Sequence, residues 1–374
     1  MPSSGSGKRL KRIVVKIGSN IIASAHEGLD TSMIDRISSD ISIIASEGSE
    51  VVIVSSGAVA AGMKKLGLKT KPTDIRFKQA AAAVGQSSLM WAYEKAFADN
   101  GKKVAQVLLT REDFADRKKY INAKNTLMTL LSYGIIPVIN ENDTVATDEI
   151  RFGDNDNLAS LVSIMIEAEH LLILSDVDGL YEDDPKNNPH AEIISDVEEI
   201  TPAIEQLAGD AGSAVGTGGM YSKVLAAKKA TSHGIAVNIV NGKKPGLLIP
   251  AVRGQHYGTC FRPRQDRLSQ RKGWIAYSSR SKGSVVLDEG AVSAIRDGSK
   301  SLLPSGIVSI EGTFEIGDSV FCISVKGKRI AKGLINYSSA DLKKIMGRKT
   351  SEIEKLLGFK YSDEAIHRDN LVLV

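Results

Sequence analysis

The chain has 374 residues, 42% hydrophobic and 25% charged, which gives ample length for one large domain and a smaller one. Its net charge of +4 is too small over that length to argue for a nucleic-acid partner by itself. Cys260 and Cys322 stand far apart, without CxxC or Cys/His spacing, which argues against a disulfide framework or a zinc site and suits a reducing cytosol.

The start, Met1 to Lys11, is polar, carries Ser3-Ser4-Gly5-Ser6-Gly7, and has no apolar segment of the kind a signal peptide needs. No run reaches the ~18 apolar residues that span a bilayer, so the expected compartment is the cytoplasm. From Ile13 to Gly242, short β-branched runs alternate with helical patterns. Ile13 to Ile17, Val51 to Val54, Val104 to Leu109, Ile135 to Ile139, Leu171 to Leu174 and Ala236 to Val240 are nearly continuous in apolar residues, as strands covered on both faces are. Between them Ile34, Ile37, Ile41 and Ile44 recur at helical spacing, and Arg76 to Asp99 is Ala-rich until Asn100-Gly101 ends it. The alternation predicts an α/β domain with a mostly parallel sheet between helices. After about Gly258 a polar, basic stretch with Arg262, Pro263, Arg264, Arg267, Arg271 and Lys272 reads as a linker. Beyond it Gly283 to Val286, Gly306 to Ile310, Ser319 to Ser324 and Arg329 to Leu334 predict a small β-rich domain, interrupted by a helix over Ala291 to Asp297. The expected limits are 11–260 for the first domain, 261–281 for the linker and 282–374 for the second domain.

Five segments carry chemistry. Asn140-Glu141-Asn142-Asp143-Thr144, with Phe152-Gly153-Asp154-Asn155-Asp156-Asn157, follows an apolar strand and is too polar for a core. At the carboxyl end of a buried strand such residues form a small-molecule site, and their chemistry suits an ammonium group with hydrogen-bonding oxygens, as in an amino acid. Lys16-Ile17-Gly18-Ser19 and Ser55-Ser56-Gly57-Ala58-Val59-Ala60-Ala61-Gly62 end two other strands. Lysine supplies a compact positive charge, and glycine lets backbone N–H groups approach an anion. Each alone also fits a bland alternative: a plain turn with a surface lysine, and close packing of a helix on the sheet. Ser175-Asp176-Val177-Asp178-Gly179 resembles a turn that contacts a nucleoside, and a solvated acidic loop is its alternative. Gly216-Thr217-Gly218-Gly219-Met220-Tyr221-Ser222-Lys223 fits neither GxxxxGK[ST] nor GxGxxG, which leaves a flexible loop ending in Lys223 or a plain surface linker. Together they offer two lysines, two anion cradles and an acidic/amide pocket, the equipment phosphoryl transfer needs. Asp156 is placed to hold Lys16 and Lys223.

This set, in this order over nearly the whole chain, resembles the glutamate 5-kinases of the amino-acid kinase superfamily. The resemblance implies Lys16 and Lys223 as the phosphate-stabilising lysines with Asp156 as their organiser. It implies Ser56, Gly57, Asp143 and Asn155 as substrate-binding positions. Ser175 and Asp176, with Thr217, Gly218, Gly219, Met220, Tyr221, Ser222, Lys223 and Lys16, are implied nucleotide-binding positions. Ser175 stands where threonine is common, and Tyr221 where a small polar residue is expected. The implied reaction phosphorylates the side-chain carboxylate of L-glutamate from ATP, opening proline biosynthesis. Mg²⁺ would ride on the ATP phosphates with no dedicated protein ligands. Feedback inhibition by proline and a dimer or tetramer are also implied.

The second domain is similar to a PUA domain, through Gly283 to Ala291, Ser301 to Ile307 and Phe314 to Asp318. Such domains bind RNA, so an RNA-binding protein with a kinase-like scaffold is the rival reading. Residues 281–374 hold 14 Lys and Arg against 12 Asp and Glu, a net of only +2, short of a basic footprint. A nearer alternative is a kinase for another acidic amino acid or for an acylated glutamate. Asp143 favours a free ammonium, because a carboxylate facing an N-acyl group loses its partner.

Overall fold

The computed structural model describes residues 10–24, 27–68, 70, 72, 74–145, 155–185, 187–209, 219–255, 257–264, 272, 274–278, 280–297 and 300–374. The chain divides into two units, Met1–Asp113 with Lys118–Arg267, and Phe114–Arg117 with Leu268–Val374. Of the basic stretch, Arg267 and Arg271 lie outside the described residues.

The first unit is built on an eight-stranded sheet. Its strands are β1 (Arg12–Ile17), β2 (Glu50–Ser55), β3 (Lys103–Leu109), β4 (Ile135–Glu141), β5 (His170–Ser175), β6 (Asp196–Val197), β7 (Ala236–Asn241) and β8 (Thr259–Phe261), in the order β3-β4-β2-β1-β5-β7-β8-β6. All neighbours run parallel except β8 against β7. Parallel strands need crossovers and are covered on both faces, which is why every residue of β1 and of β5 is buried. At β1 the order reverses, with β2 on one side and β5 on the other. Lys16 is in register with Val54 and Ile173 there. A crevice outside the strand ends at such a point is where open α/β sheets hold ligands.

Helix α1 (Thr31–Ser46) starts at Asp30, whose carboxylate accepts from the Met33 N–H at 2.9 Å. Its Ile34, Ile37, Ile41 and Ile44 all enter the main core, each burial contributing about 1.5–3 kcal/mol. Helices α2 (Ala58–Lys65) and α3 (Ile75–Ala98) touch through glycine. A Cβ at Gly62 would lie 1.7 Å from the Ala81 carbonyl oxygen, and one at Gly85 would lie 1.8 Å from that of Ala58. Only glycine permits this approach. Two further helices carry site residues, α4 (Asn155–Met165) and α5 (Met220–Thr231).

The second unit has five strands: β9 (Ser281–Leu287), β10 (Ile307–Gly312), β11 (Ser319–Ser324), β12 (Arg329–Leu334) and β13 (Leu371–Leu373), ordered β10-β9-β11-β12-β13. Helices α6 (Glu289–Arg296) and α7 (Ser339–Ile345) begin at side-chain caps, Asp288 and Ser338. Phe314, Val320, Cys322, Tyr337 and Leu342 are in its own buried core, distinct from that of the first unit. Among the described residues no helix is long and apolar enough to cross a membrane.

Candidate active site

Two ammonium groups meet one carboxylate beneath the strand ends. Lys16, near the end of β1, places Nζ 2.5 Å from Asp156 Oδ1, and Lys223, in the first turn of α5, places Nζ 3.1 Å from Asp156 Oδ2. Asp156 lies in the first turn of α4 and is fully buried, while both lysines are 5% exposed. The Ser222 hydroxyl adds a third contact, 2.9 Å from Asp156 Oδ2. Burial by itself pushes the Asp156 carboxyl up, but Lys16 and Lys223 outweigh it and hold it below the ordinary carboxylate range. The cluster is therefore ionised at neutral pH and carries one net positive charge. Removing water strengthens its pull on an anion.

These groups border a cavity of about 450 Å³ whose wall includes Lys16, Gly18, Ser56, Gly57, Asn140, Asp143, Asn155, Ser175, Asp176 and Lys223. Gly57 caps α2 with φ of 100°, a left-handed conformation that L side chains rarely adopt. Ala58, Val59 and Ala60, the first turn of the same helix, also line the wall, so the positive end of the helix borders the cavity. A Cβ at Gly18 would lie 3.2 Å from the Leu174 carbonyl and 3.8 Å from the Lys16 ammonium, crowding the space beside the charge.

One end of the cavity is made of amides. Asn155 Nδ2 donates among the Ser55 carbonyl at 2.9 Å, Ser56 Oγ at 2.8 Å and Asn140 Oδ1 at 3.0 Å. Asn140 Nδ2 donates in turn to Gln86 Oε1 at 2.9 Å. Glu141 and Asp143 stand beside them on the wall. At the other end Asp176 Oδ2 accepts from Asn20 Nδ2 at 3.0 Å. Partial burial raises the Asp176 carboxyl, and the Asn20 contact with Lys243 and Lys223 more than reverses this. Beneath the wall, Ser55 Oγ and Tyr93 Oη share a buried hydrogen bond of 2.9 Å.

The structure thus brings together Lys16, Ser56, Gly57, Asp143, Asn155, Ser175, Asp176 and Lys223, with Asp156 under the lysines. Gly219, Met220, Tyr221 and Ser222 are not part of the described wall, and Ser222 reaches it only through Asp156. Phe152, Gly153, Asp154, Gly216, Thr217 and Gly218 lie outside the described residues. One reading needs correction: Lys223 does not end a loop. Helix α5 begins at Met220, after an extended Gly219, so Lys223 projects from a rigid first turn into its ion pair. Glycines before Gly219 hid how early the helix starts. Gln86 was not foreseen, since it stands in the Ala-rich run of α3, where a polar side chain beside Gly85 was the available signal; Asn20 closes the Lys16-Ile17-Gly18-Ser19 segment, but its contact with Asp176 was not foreseen.

Residues 11–241 match the amino acid kinase family, and residues 283–357 match the PUA domain. The glutamate 5-kinase of Syntrophotalea carbinolica is 53% identical over 365 residues, covering 98% of each chain. That of Geobacter sulfurreducens is 49% identical over 371 residues, 99% of this chain and 100% of its own. Among solved structures, carbamate kinase from Giardia lamblia bound to AMP-PNP is 17% identical, with a TM-score of 0.50 over 68% of this chain and 99% of its own, and shares the fold of the first unit. With residues 11–241 matching the family and relatives about 50% identical over nearly the whole chain, the chain belongs to the amino acid kinase family and, within it, to the glutamate 5-kinases.

Proposed function

We propose that the chain transfers the γ-phosphoryl group of ATP to the side-chain carboxylate of L-glutamate, giving L-glutamyl 5-phosphate and ADP, the first step of proline biosynthesis. The observation that carries this reading is the Lys16–Asp156–Lys223 cluster on a cavity whose far end is lined by Asn140, Asp143 and Asn155. A transferring phosphoryl group spreads negative charge over three oxygens, and two positioned ammoniums stabilise it without covalent help. The attacking carboxylate is already ionised at neutral pH, so no general base is required. Asp143 and Glu141 suit the substrate ammonium, and the N–H groups opening α2 suit an anionic oxygen.

The nucleotide side is assigned to Ser175, Asp176 and the segment 217–223. Mg²⁺ would enter with ATP and neutralise its phosphate oxygens. The donors beside the lysines suit phosphate rather than a bare cation, which fits a metal held through the nucleotide. We assign 11–260 to the kinase domain, 261–281 to a linker and 282–374 to the PUA domain, in a cytoplasmic homo-oligomer inhibited by proline at the glutamate end. RNA as a partner of the PUA domain finds little support in a net charge of +2.

The test is glutamate-dependent ADP release with Mg²⁺-ATP. Turnover with glutamate, but not with aspartate or N-acetylglutamate, and its abolition by Lys16→Ala are expected. Faster turnover with either of the other two acids would reassign the substrate.

A further inference from the structure

Gln86 stands behind the cavity wall, on α3, and its amide presents a puzzle. Its Nε2 is buried and has no hydrogen-bond partner among the described residues, an expensive arrangement that leucine or methionine would avoid. The service it does provide is its Oε1, which accepts from Asn140 Nδ2 at 2.9 Å. Gln86 is also firmly located, because the preceding Gly85 packs against the Ala58 backbone at a distance no Cβ could occupy.

The amides beyond Gln86 form a chain in which each fixes the next. Asn140 Oδ1 accepts from Asn155 Nδ2 and from the Glu141 N–H at 2.9 Å, leaving its Nδ2 for Gln86. Asn155 Nδ2 faces three acceptors, so its orientation is set, and its buried Oδ1 is left without a partner among the described residues. Ser56 Oγ accepts from Asn155, which leaves its O–H free to donate, and Ser56 lines the cavity. Reverse Asn140 and its NH₂ would meet the Asn155 NH₂. Asn155 would then have to turn its carbonyl toward Ser56, and the serine would donate inward. The Glu141 N–H and the Ser55 carbonyl already oppose that reversal, and the acceptor at Gln86 adds to its cost.

We propose that Gln86 is a positioning residue for the acceptor substrate: through Asn140 and Asn155 it keeps the Ser56 hydroxyl a donor into the cavity, aimed at an anionic group of the amino acid. The inference rests on the glutamate reading given above. Methionine matches glutamine in shape but removes the acceptor. Gln86→Met is expected to raise the KM for glutamate roughly tenfold, about the effect of one lost hydrogen bond, while the KM for ATP stays within about twofold. In a Ser56→Ala background the same change should move the glutamate KM by less than about twofold, since the hydroxyl it acts through is gone. Gln86→Leu, which also removes the acceptor, should raise the glutamate KM to a similar extent and serves if the methionine variant does not fold. Equal effects on both KM values or additive effects with Ser56→Ala would overturn the proposal. Wild-type enzyme that turned over no glutamate would strike the substrate reading instead. Wild-type turnover with no effect of Gln86→Met would strike only this inference.

Discussion

Asp156 illustrates how a buried charge can serve two partners. Asp156→Asn keeps the shape but leaves two ammoniums buried without a counter-charge, and breaking such a cluster costs about 3–5 kcal/mol. Urea unfolding is expected to show that loss, and steady-state kinetics a kcat lowered by about 10² or more, because both lysines on the cavity wall lose the carboxylate that aligns them. The carboxyl is held below its ordinary range, so its contribution is complete above the unfolded value of 3.8 and disappears as pH falls through the lower folded value. Between pH 5 and 8 it is constant.

His170 behaves differently. It is buried at the start of β5, shares a hydrogen bond of 2.9 Å between its Nε2 and Asn238 Oδ1, and burial pushes its pKa below 6.5. The unfolded chain then binds a proton that the folded one refuses. Stability should therefore fall as pH drops below 6.5 and level off once the folded imidazole also titrates. Unfolding midpoints between pH 5 and 7 should show a slope shallower by as much as one proton in His170→Gln; an unchanged slope would place the dependence elsewhere.

Elements were legible to different degrees, for physical reasons. Central parallel strands are apolar on both faces, so β1, β2, β4 and β5 stand out as unbroken runs, and the four isoleucines of α1 mark its buried stripe. Short strands such as β13, three residues long, carry too little pattern to separate from a tail. Lys16, Asp143 and Asn155 were readable because they sit in polar segments ending strands. Gln86 was not, because its role depends on its meeting Asn140 of β4, 54 residues away, a relation no local spacing encodes. The seat of α3 on α2 depends on glycine. Gly85→Ala would drive a methyl into the Ala58 carbonyl, and overpacking of this kind costs about 1–3 kcal/mol or more. Since Ala58 opens the helix whose first turn lines the cavity, the glutamate KM should rise along with the fall in thermal midpoint. A fall in midpoint alone would mean that the helices relax away from the site.

At the scale of the molecule, each of the two units has buried core of its own, and among the described residues the candidate site draws only on the first unit. Mg²⁺-ATP with glutamate at about a hundred times their dissociation constants should stabilise that unit by about 2.7 kcal/mol per independent site. Hydrogen exchange should accordingly slow in strands and helices of residues 10–264, with little change across 281–374. Slowing that extends through β9 to β13 would show that the second unit senses ligand.

The paired lysines also bear on synthesis of the chain. Lys16 and Asp156 emerge from the ribosome well before Lys223, and with only the first two present their charges cancel. A nascent chain that has not yet reached Lys223 lacks the second lysine of the cluster, which is added only when α5 docks. The full positive charge of the cluster is thereby tied to the part of the chain that supplies α5 and, after it, β7 and β8.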